Sequence, residues 1–150
     1  MTVDELTADA SQWGNVEVEI TGIIVVKCCD NDADFCWLRS TDTLERSGNP
    51  REEIEQLENA ILLIQPYLSD AILACGFQCG GWNIDACEPA RVSGTVIEVN
   101  KQGFRLALAN LKKVLVRDID VLPKTVHLAK CARERQGLFR SIRLWWNGSA

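Results

Sequence analysis

VEVEITGIIVV, residues 16–26, and ARVSGTVIEV, residues 90–99, are two versions of one pattern, and together they decide the fold. Each alternates apolar and polar residues around a central glycine, and each is followed by a turn and a second, phenylalanine-led strand. Alternation with a period of two is typical of a strand with one buried face, and an internal glycine marks a bend or a bulge. The pattern therefore predicts two long, curved strands.

Four further elements complete the predicted order. Residues 34–38 and 104–108 have the composition of second strands, and residues 59–64 form a short apolar run of strand length. Residues 66–75 carry apolar side chains at helical spacing, with Pro66 suited to the first turn and Gly76 to the C-terminal cap. The sequence thus predicts strand, strand, strand, helix, strand, strand.

This order resembles the OB-fold, a five-stranded antiparallel Greek-key β-barrel, here with a helix between strands 3 and 4. The resemblance covers residues 16–117 and implies a mainly β fold in a single domain, residues 1–150, to which residues 118–150 add a basic C-terminal helix and tail. The connection 40–58 departs from the pattern because it is longer than a tight hairpin. The alternative prediction is an α+β fold with a curved antiparallel sheet.

Composition is that of an ordinary globular domain. The chain has 150 residues, 47% hydrophobic and 25% charged, which is enough to bury a sizeable core. The first six residues are acidic and unlike a secretory signal, and no apolar run approaches the roughly 18 residues of a membrane span. We therefore expect a cytoplasmic protein with no membrane contact and no cofactor.

Charge is divided unevenly along the chain. Residues 112–143 contain nine Lys or Arg against three Asp or Glu, a net of +6, so the remainder of a chain with net charge −5 sums to −11. Such a division favours interaction surfaces, and an acidic surface suits a basic protein partner. The first functional prediction is a non-catalytic protein-binding module. Its candidate contact residues lie on the outward strand faces and in the first turn: Glu17, Glu19, Glu98, Asp30, Asp32 and Asp34.

Three strings also carry a family resemblance of low specificity. NAILLIQPYL (59–68), GGWNI (80–84) and ARVSGTV (90–96) resemble small bacterial proteins of uncharacterised families, some of which are immunity proteins of polymorphic toxin systems. This resemblance implies an inhibitor that neutralises a basic toxin or enzyme by occlusion. It supplies no functional motif, so no binding residue is carried over from it.

The second functional prediction is single-stranded nucleic-acid binding by the barrel. Basic side chains would contact the backbone, and aromatic side chains would stack on bases. The candidates are Lys112, Lys113, Arg140, Arg143, Trp145 and Trp146, together with Trp37 and Phe104. Trp37 and Phe104 suit a core position equally well, Trp145 and Trp146 could dock the tail, and the pI of about 4.9 opposes this prediction.

Seven cysteines allow two interpretations. An odd number opposes a complete disulfide framework. A zinc site would use Cys75, Cys79 and Cys87 with one of Cys28, Cys29 or Cys36, although the spacing rule for ligand pairs is met once only. Alternatively, Cys36 and Cys75 are small apolar side chains and the others are reduced thiols.

Catalytic signals are sparse. His127 is the only histidine, and Cys131 shares its helix face if residues 125–135 are helical. A Cys–His contact without a third orienting group is weak support for a nucleophile, and the nucleophile and phosphate-loop motifs are missing from the sequence. The run DNDAD, residues 30–34, lacks the glycine and glutamate of an EF-hand loop and predicts a polar turn. We expect a protein that is not an enzyme.

Overall fold

The computed structural model describes residues 1–29, 32–41, 59–77 and 86–147, and for residues 28–29, 32–35, 86 and 139–147 it describes the backbone alone. These residues form six strands and three α-helices, so the protein is mainly β, as predicted. The elements are α1 (Val3–Ala8), β1 (Glu17–Cys29), β2 (Asp32–Arg39), β3 (Ile61–Leu63), α2 (Leu68–Ala74), β4 (Ala86–Lys101), β5 (Phe104–Val116), β6 (Ile119–Asp120) and α3 (Leu122–Asn147).

The strands form one sheet in which five strands pair in a cycle. β1 pairs with β2 and β4, β3 pairs with β2 and β5, and β4 pairs with β5. The pairings are antiparallel except that of β3 with β5, which is parallel, and β6 pairs with β5. The prediction of five wholly antiparallel strands is therefore wrong in two respects, because the short strand β6 and the parallel pair were not anticipated.

β1 is buried on one face in its first half and on both faces in its second half. Val18 and Ile20 belong to the larger core cluster, while Glu17 and Glu19, which alternate with them, are exposed. Residues 23–26 are all buried, and alternate members belong to two clusters on opposite faces. A continuous apolar run is what two-sided burial requires. The predicted single buried face thus holds for the alternating half only.

Gly22 lies in β1 at the point where the end of β2 and helix α1 pack closely against this strand. A Cβ atom on Gly22 would lie 2.6 Å from the carbonyl oxygen of Arg39 and 2.9 Å from a methyl group of Val3. Real Cβ atoms do not approach backbone oxygen so closely, so a larger residue requires the strands to shift. The glycine permits close approach of neighbouring segments.

Gly94 lies opposite a bulge in the partner strand β5, whereas the sequence predicted the bend or bulge in the glycine-bearing strand itself. The register between β4 and β5 shifts beside it, since Ser93 faces Lys113 whereas Thr95 faces Ala109. The extra residues belong to β5, where Asn110 has a φ of 49°. The bulge therefore bends the partner strand over a position that has no side chain.

Two tight turns join the later strands. Gln102 and Gly103 connect β4 to β5 with φ values of 53° and 90°, and Arg117 and Asp118 connect β5 to β6 with 45° and 67°. Positive φ at both central residues is typical of type I′ turns, whose twist matches that of antiparallel strands. The sequence predicted a turn before Phe104; the turn is confined to Gln102 and Gly103, because Asn100 and Lys101 belong to β4.

The helices differ in how well the sequence predicted them. α1 was not predicted, although Thr2 and Glu5 form a capping box at its start. α2 is shorter than predicted: Tyr67, with a φ of 62°, precedes its first residue, and Gly76, with a φ of 87°, follows its C-terminus as expected. α3 extends over 26 residues, about 39 Å, beyond the predicted range 125–135.

The larger core cluster joins the sheet to all three helices. Val3 and Leu6 of α1 and Ile72 of α2 are fully buried in it, and Leu128 of α3 packs against it. The connection 40–58 is described as far as Thr41, so its predicted course lies outside the described residues. In the described ranges, no helix combines the length and apolar character needed to cross a membrane.

Candidate binding surfaces

The acidic candidates of β1 form ion pairs with basic side chains of the same sheet. Glu17 accepts a hydrogen bond from Nζ of Lys112. Lys112 lies in the β5 bulge, and its side chain reaches across β4. Glu19 Oε1 lies 3.8 Å from Arg91 Nε on β4. Both glutamates remain 54% exposed. Their charges are therefore accessible but partly neutralised by the chain itself.

A third pair involves β4 and the turn after β5. Arg117, in the turn after β5, donates to the Glu88 carboxylate of β4. Sequence analysis missed the partners Arg91, Glu88 and Arg117, because a linear charge count does not show which strands become neighbours. We name the first two pairs the paired strand face: Glu17, Glu19, Arg91 and Lys112. Glu88 and Arg117 form a separate pair, because the strand register places Glu88 opposite Ile24, on the face of the larger core cluster.

Of the remaining acidic candidates, Glu98 is the one whose side chain the structure describes. Glu98 is exposed on β4. Its position in the strand is on the same face as Val96, which belongs to the larger core cluster. The neighbouring Ile97 is on the other face and packs against the smaller cluster. Asp32 and Asp34 belong to β2, so their predicted place in a turn is wrong, whereas the prediction of a strand over residues 34–38 is confirmed. Asp30 lies outside the described residues. Glu17 and Glu19 are thus the acidic candidates that the described side chains place on one strand face.

The aromatic candidates on the strands are core residues. Trp37 and Phe104 are each 3% exposed, and their ring centroids lie 5.9 Å apart at an interplanar angle of 57°. A tilted pair of this kind stabilises a core. The prediction that they serve as stacking platforms is wrong, and the alternative of a core role is confirmed.

A shallow groove crosses the sheet beside the paired strand face. It has a volume of about 290 Å³ and is lined by Thr21, Arg91, Leu115, Arg117 and neighbouring backbone. Both arginines already contact glutamates. The groove was not predicted, because its residues are distant in sequence.

α3 has an anchored half and a C-terminal half whose described side chains, from Arg133 to Leu138, are exposed. In the anchored half, Thr125 is 1% exposed, donates its hydroxyl to the Leu122 carbonyl at 2.7 Å and lies 3.5 Å from Gln65 Nε2. From Arg133 to Leu138 each residue is exposed, and Leu138 is 65% exposed. We call residues 133–147 the distal segment of α3.

The basic candidates divide between the two surfaces. Lys112 belongs to the paired strand face, whereas Lys113 is exposed on β5 without an ion pair in the described part of the chain. Arg140, Arg143, Trp145 and Trp146 lie on the helical backbone of the distal segment. The structure therefore places these four residues in one continuous helix, whereas the sequence predicted a helix followed by a tail.

The proposed zinc ligands are not brought together in the described ranges. Cys75 packs against the larger cluster and Cys87 against the smaller one on the opposite face, and Cys79 lies outside the described residues. Among described side chains, no three of the His, Cys, Asp or Glu type gather around a common point. The expectation that Cys36 and Cys75 are small apolar side chains is confirmed, since both contribute to the larger cluster.

The predicted contact between His127 and Cys131 is present. Cys131 Sγ lies 3.7 Å from His127 Nε2 on the anchored half of α3, where the histidine is exposed.

Comparison of the chain with protein-family models, curated proteins and solved structures gave no match. The geometry of these surfaces is therefore the basis for assigning a function.

Proposed function

We propose that the protein is a non-catalytic protein-binding module that contacts its partner through the distal segment of α3. One observation carries the proposal: the helix continues for 15 residues beyond the last anchored turn, and Arg133 to Leu138 are all exposed. An exposed leucine on a helix that leaves its own core is available to another molecule.

Helix stability gives a reason to expect a partner. Isolated helices shorter than about 12–15 residues are marginal in water, because most helical stability comes from packing an apolar face. The distal segment continues an anchored helix, but its side chains from Arg133 to Leu138 are exposed and it contains Gly137, a residue that costs about 1 kcal/mol relative to alanine inside a helix. Docking on a partner would supply the missing packing.

The spacing of apolar residues in the distal segment suits insertion of the helix into an apolar groove of a partner. Leu138, Ile142 and Trp145 are four and three residues apart, which places these positions on one helical face. Anchors at this spacing are typical of helix-in-groove recognition. Arg133 and Arg140 occupy positions on the opposite side of the helix. The fitting partner is a protein with an apolar groove.

The charge of the distal segment further predicts that the partner's apolar groove has an acidic rim. The distal segment has four arginines against one glutamate, a net of +3. In the described part of the chain, neither Arg133 nor Arg135 forms an ion pair. Their charge remains available to steer an acidic partner towards the helix.

The sheet would serve as a rigid platform of the OB-like barrel type. The cycle of pairings through β1 to β5, the parallel β3–β5 pair and the position of α2 between β3 and β4 support this assignment. Fold alone does not specify a ligand. The barrel is therefore proposed as the body that presents the helix.

An inhibitor of a basic toxin or enzyme is a second form of the proposal. Glu17 and Glu19 are adjacent on one face of β1 and more than half exposed, which supports it. Exposed ion pairs contribute roughly 0–1 kcal/mol, so basic residues of a partner could displace Lys112 and Arg91. This mode would use the paired strand face instead of the distal segment.

Single-stranded nucleic-acid binding remains the alternative from another class. The exposed, unpaired Arg133 and Arg135 favour it, whereas burial of Trp37 and Phe104 removes two of its stacking positions. Anisotropy of labelled single-stranded DNA and RNA at low and near-physiological salt tests it. Binding that weakens log-linearly with salt would support the alternative over protein binding.

Site-specific photocrosslinking tests the main proposal. A photoreactive phenylalanine analogue is placed at position 138 of the distal segment or, as the control, at position 126 of the anchored half, within cells that naturally make the protein. Leu138 and Val126 are 65% and 66% exposed, so the two positions are matched in access to solvent.

The proposal predicts an adduct at position 138 that protease removes and nuclease does not, with little adduct at position 126. A nuclease-sensitive adduct would transfer support to nucleic-acid binding. Equal adducts at both positions, or none, would contradict the assignment of the distal segment.

A further inference from the structure

Five positions of α3 form one continuous stripe along the helix: 127, 131, 138, 142 and 145. Each residue advances about 100° around an α-helix, so these positions fall within an arc of about 60° and extend over about 27 Å. Positions 127 and 131 lie in the anchored half, whereas the other three are the anchor positions of the distal segment. The stripe therefore crosses from one half of α3 into the other.

The side of the anchored half that carries this stripe is accessible to solvent. His127 is exposed, and Cys131, a free thiol, is half-buried. On the core-facing side of the same half, Thr125 is 1% exposed and Leu128 packs against the larger core cluster. These two positions lie about 140° and 80° from Leu138 around the helix, outside the stripe. The anchored half thus packs on the core through one side and leaves the stripe on another.

We propose that the partner's groove extends along this stripe into the anchored half and contacts His127 and Cys131. The inference rests on the proposed function, in which the partner binds positions 138, 142 and 145. Because α3 is one helix from Leu122 to Asn147, it presents the same side to the partner two and three turns before Leu138. The contact surface is therefore longer than the distal segment.

His127 gives this end of the groove a polar contact. Its Nε2 atom lies 3.7 Å from Cys131 Sγ, and the described part of the chain offers no hydrogen-bond partner to Nδ1. When the thiol donates to Nε2, the neutral ring carries its hydrogen on Nδ1. A carboxylate of the partner would accept that hydrogen bond, and the half-buried Lys124, about one turn away, adds favourable charge. We expect the acidic rim of the groove to continue to this position.

Contacts in the anchored half add affinity at a low entropic cost. This half is held against the core before binding through Thr125 and Leu128, whereas the exposed distal segment has to become ordered on the partner. The two halves would thus act as the fixed part and the adjustable part of one binding helix.

Photocrosslinking at two adjacent positions tests the inference. The photoreactive phenylalanine analogue is placed at position 127, on the stripe, or at position 126, which lies about 120° from Leu138 around the helix. His127 and Val126 are both exposed and belong to the same helical turn, so the two positions differ mainly in direction. Position 138 reports separately whether the proposed function holds.

We expect adducts to the same partner at positions 138 and 127, with little adduct at position 126. Adducts at position 127 no stronger than at position 126, while position 138 still crosslinks, would overturn this inference alone. Loss of the adduct at position 138 would overturn the proposed function and this inference with it.

Alkylation of Cys131 provides a second test on the unmodified protein. With the partner recovered by crosslinking at about 100 times its Kd, about 1% of the protein is free, so alkylation of Cys131 should slow at least about tenfold. Cys87, another half-buried free thiol, packs against the smaller core cluster on the opposite face and should keep its rate. An unchanged rate at Cys131, or equal slowing at Cys87, would contradict the inference.

Discussion

The paired strand face and the described side chains of the distal segment of α3, from Arg133 to Leu138, are both charged and exposed, yet they differ in how their charges are satisfied. Glu17 and Glu19 each contact a basic side chain from a neighbouring strand. Within the described residues, Arg133 and Arg135 have no such partner. A charged surface that neutralises itself needs no other molecule, whereas an unpaired one retains charge for recognition.

The two regions also differ in packing. The strands beneath the paired face are held by neighbours on both sides and by a buried core, while the exposed side chains from Arg133 to Leu138 lack contacts that bury them. Local stability follows such contacts, so the distal segment should open far more readily than the sheet. This contrast leads to predictions that can break or sharpen the comparison.

The largest expected effect is on the sheet, from Gly22→Ala. The new Cβ would lie 2.6 Å from the Arg39 carbonyl oxygen, a backbone atom that cannot rotate away. Overpacking of this kind should destabilise the protein by about 2–3 kcal/mol in urea unfolding. Gly14→Ala, where no heavy atom lies within 4 Å of the new Cβ, is the control. Equal loss in both variants would contradict the close-approach explanation.

Leu138→Asp should have the next largest effect, and on binding instead of stability. A central anchor that becomes charged should weaken the protein complex by about 2 kcal/mol, roughly 30-fold, measured by calorimetry with the partner recovered by crosslinking. Val126→Asp, equally exposed on the anchored half, should change affinity by less than about twofold. Comparable losses would indicate that the two halves of α3 do not differ in function.

Gly137→Ala repeats the glycine substitution in the distal segment and should have the opposite sign to Gly22→Ala. Open space surrounds the new Cβ, and alanine stabilises a helix interior by up to about 1 kcal/mol over glycine. Helical circular dichroism and affinity for the partner should both rise. Weaker binding despite greater helicity would show that the partner requires a bend at this glycine.

A smaller effect is expected for the Glu17–Lys112 pair. A double-mutant cycle with Glu17→Gln and Lys112→Gln should give a coupling of about 0.2–1 kcal/mol that declines with added salt. The same variants should leave partner affinity unchanged if the distal segment is the contact surface. Reduced affinity in Glu17→Gln alone would support the inhibitor form of the proposal.

The smallest effect concerns Glu5 at the start of α1. The Thr2 backbone N–H, which donates to Glu5 Oε2 at 2.7 Å, lowers the pKa of this carboxyl. A lowered folded-state pKa gives stability that is present above the ordinary carboxyl range, roughly pH 4–5, and is lost as pH falls through the folded value. The melting temperature of Glu5→Gln should therefore lie below that of wild type at neutral pH and converge with it in acid.

The sequence predicted the sheet best where the physical signal was local. The alternation in residues 16–21 and the positive φ of Gly76 each depend on a few adjacent residues. α1 escaped prediction because six residues carry little periodicity, although Thr2 and Glu5 already had the spacing of a capping box. The short β6 depends on a two-residue turn that lacks glycine.

The candidate surfaces were harder to predict because they depend on long-range pairing. The charge count drew attention to Glu17 and Glu19, but their neutralisation by Lys112 and Arg91 depends on β4 and β5, which lie more than 70 residues away in the chain. Trp37 and Phe104 were equally consistent with stacking and with burial, and only the fold distinguished these roles. In contrast, the His127–Cys131 contact followed directly from helical spacing.

Hydrogen–deuterium exchange tests the central claim most directly, when it is measured on the protein alone and in complex with the crosslinked partner. We predict fast exchange across residues 133–147 in the free protein, strong protection of the same residues in the complex, and no change at residues 17–21 of β1. Protection gained at residues 17–21, with none in the distal segment, would contradict this prediction and identify the paired strand face as the binding surface.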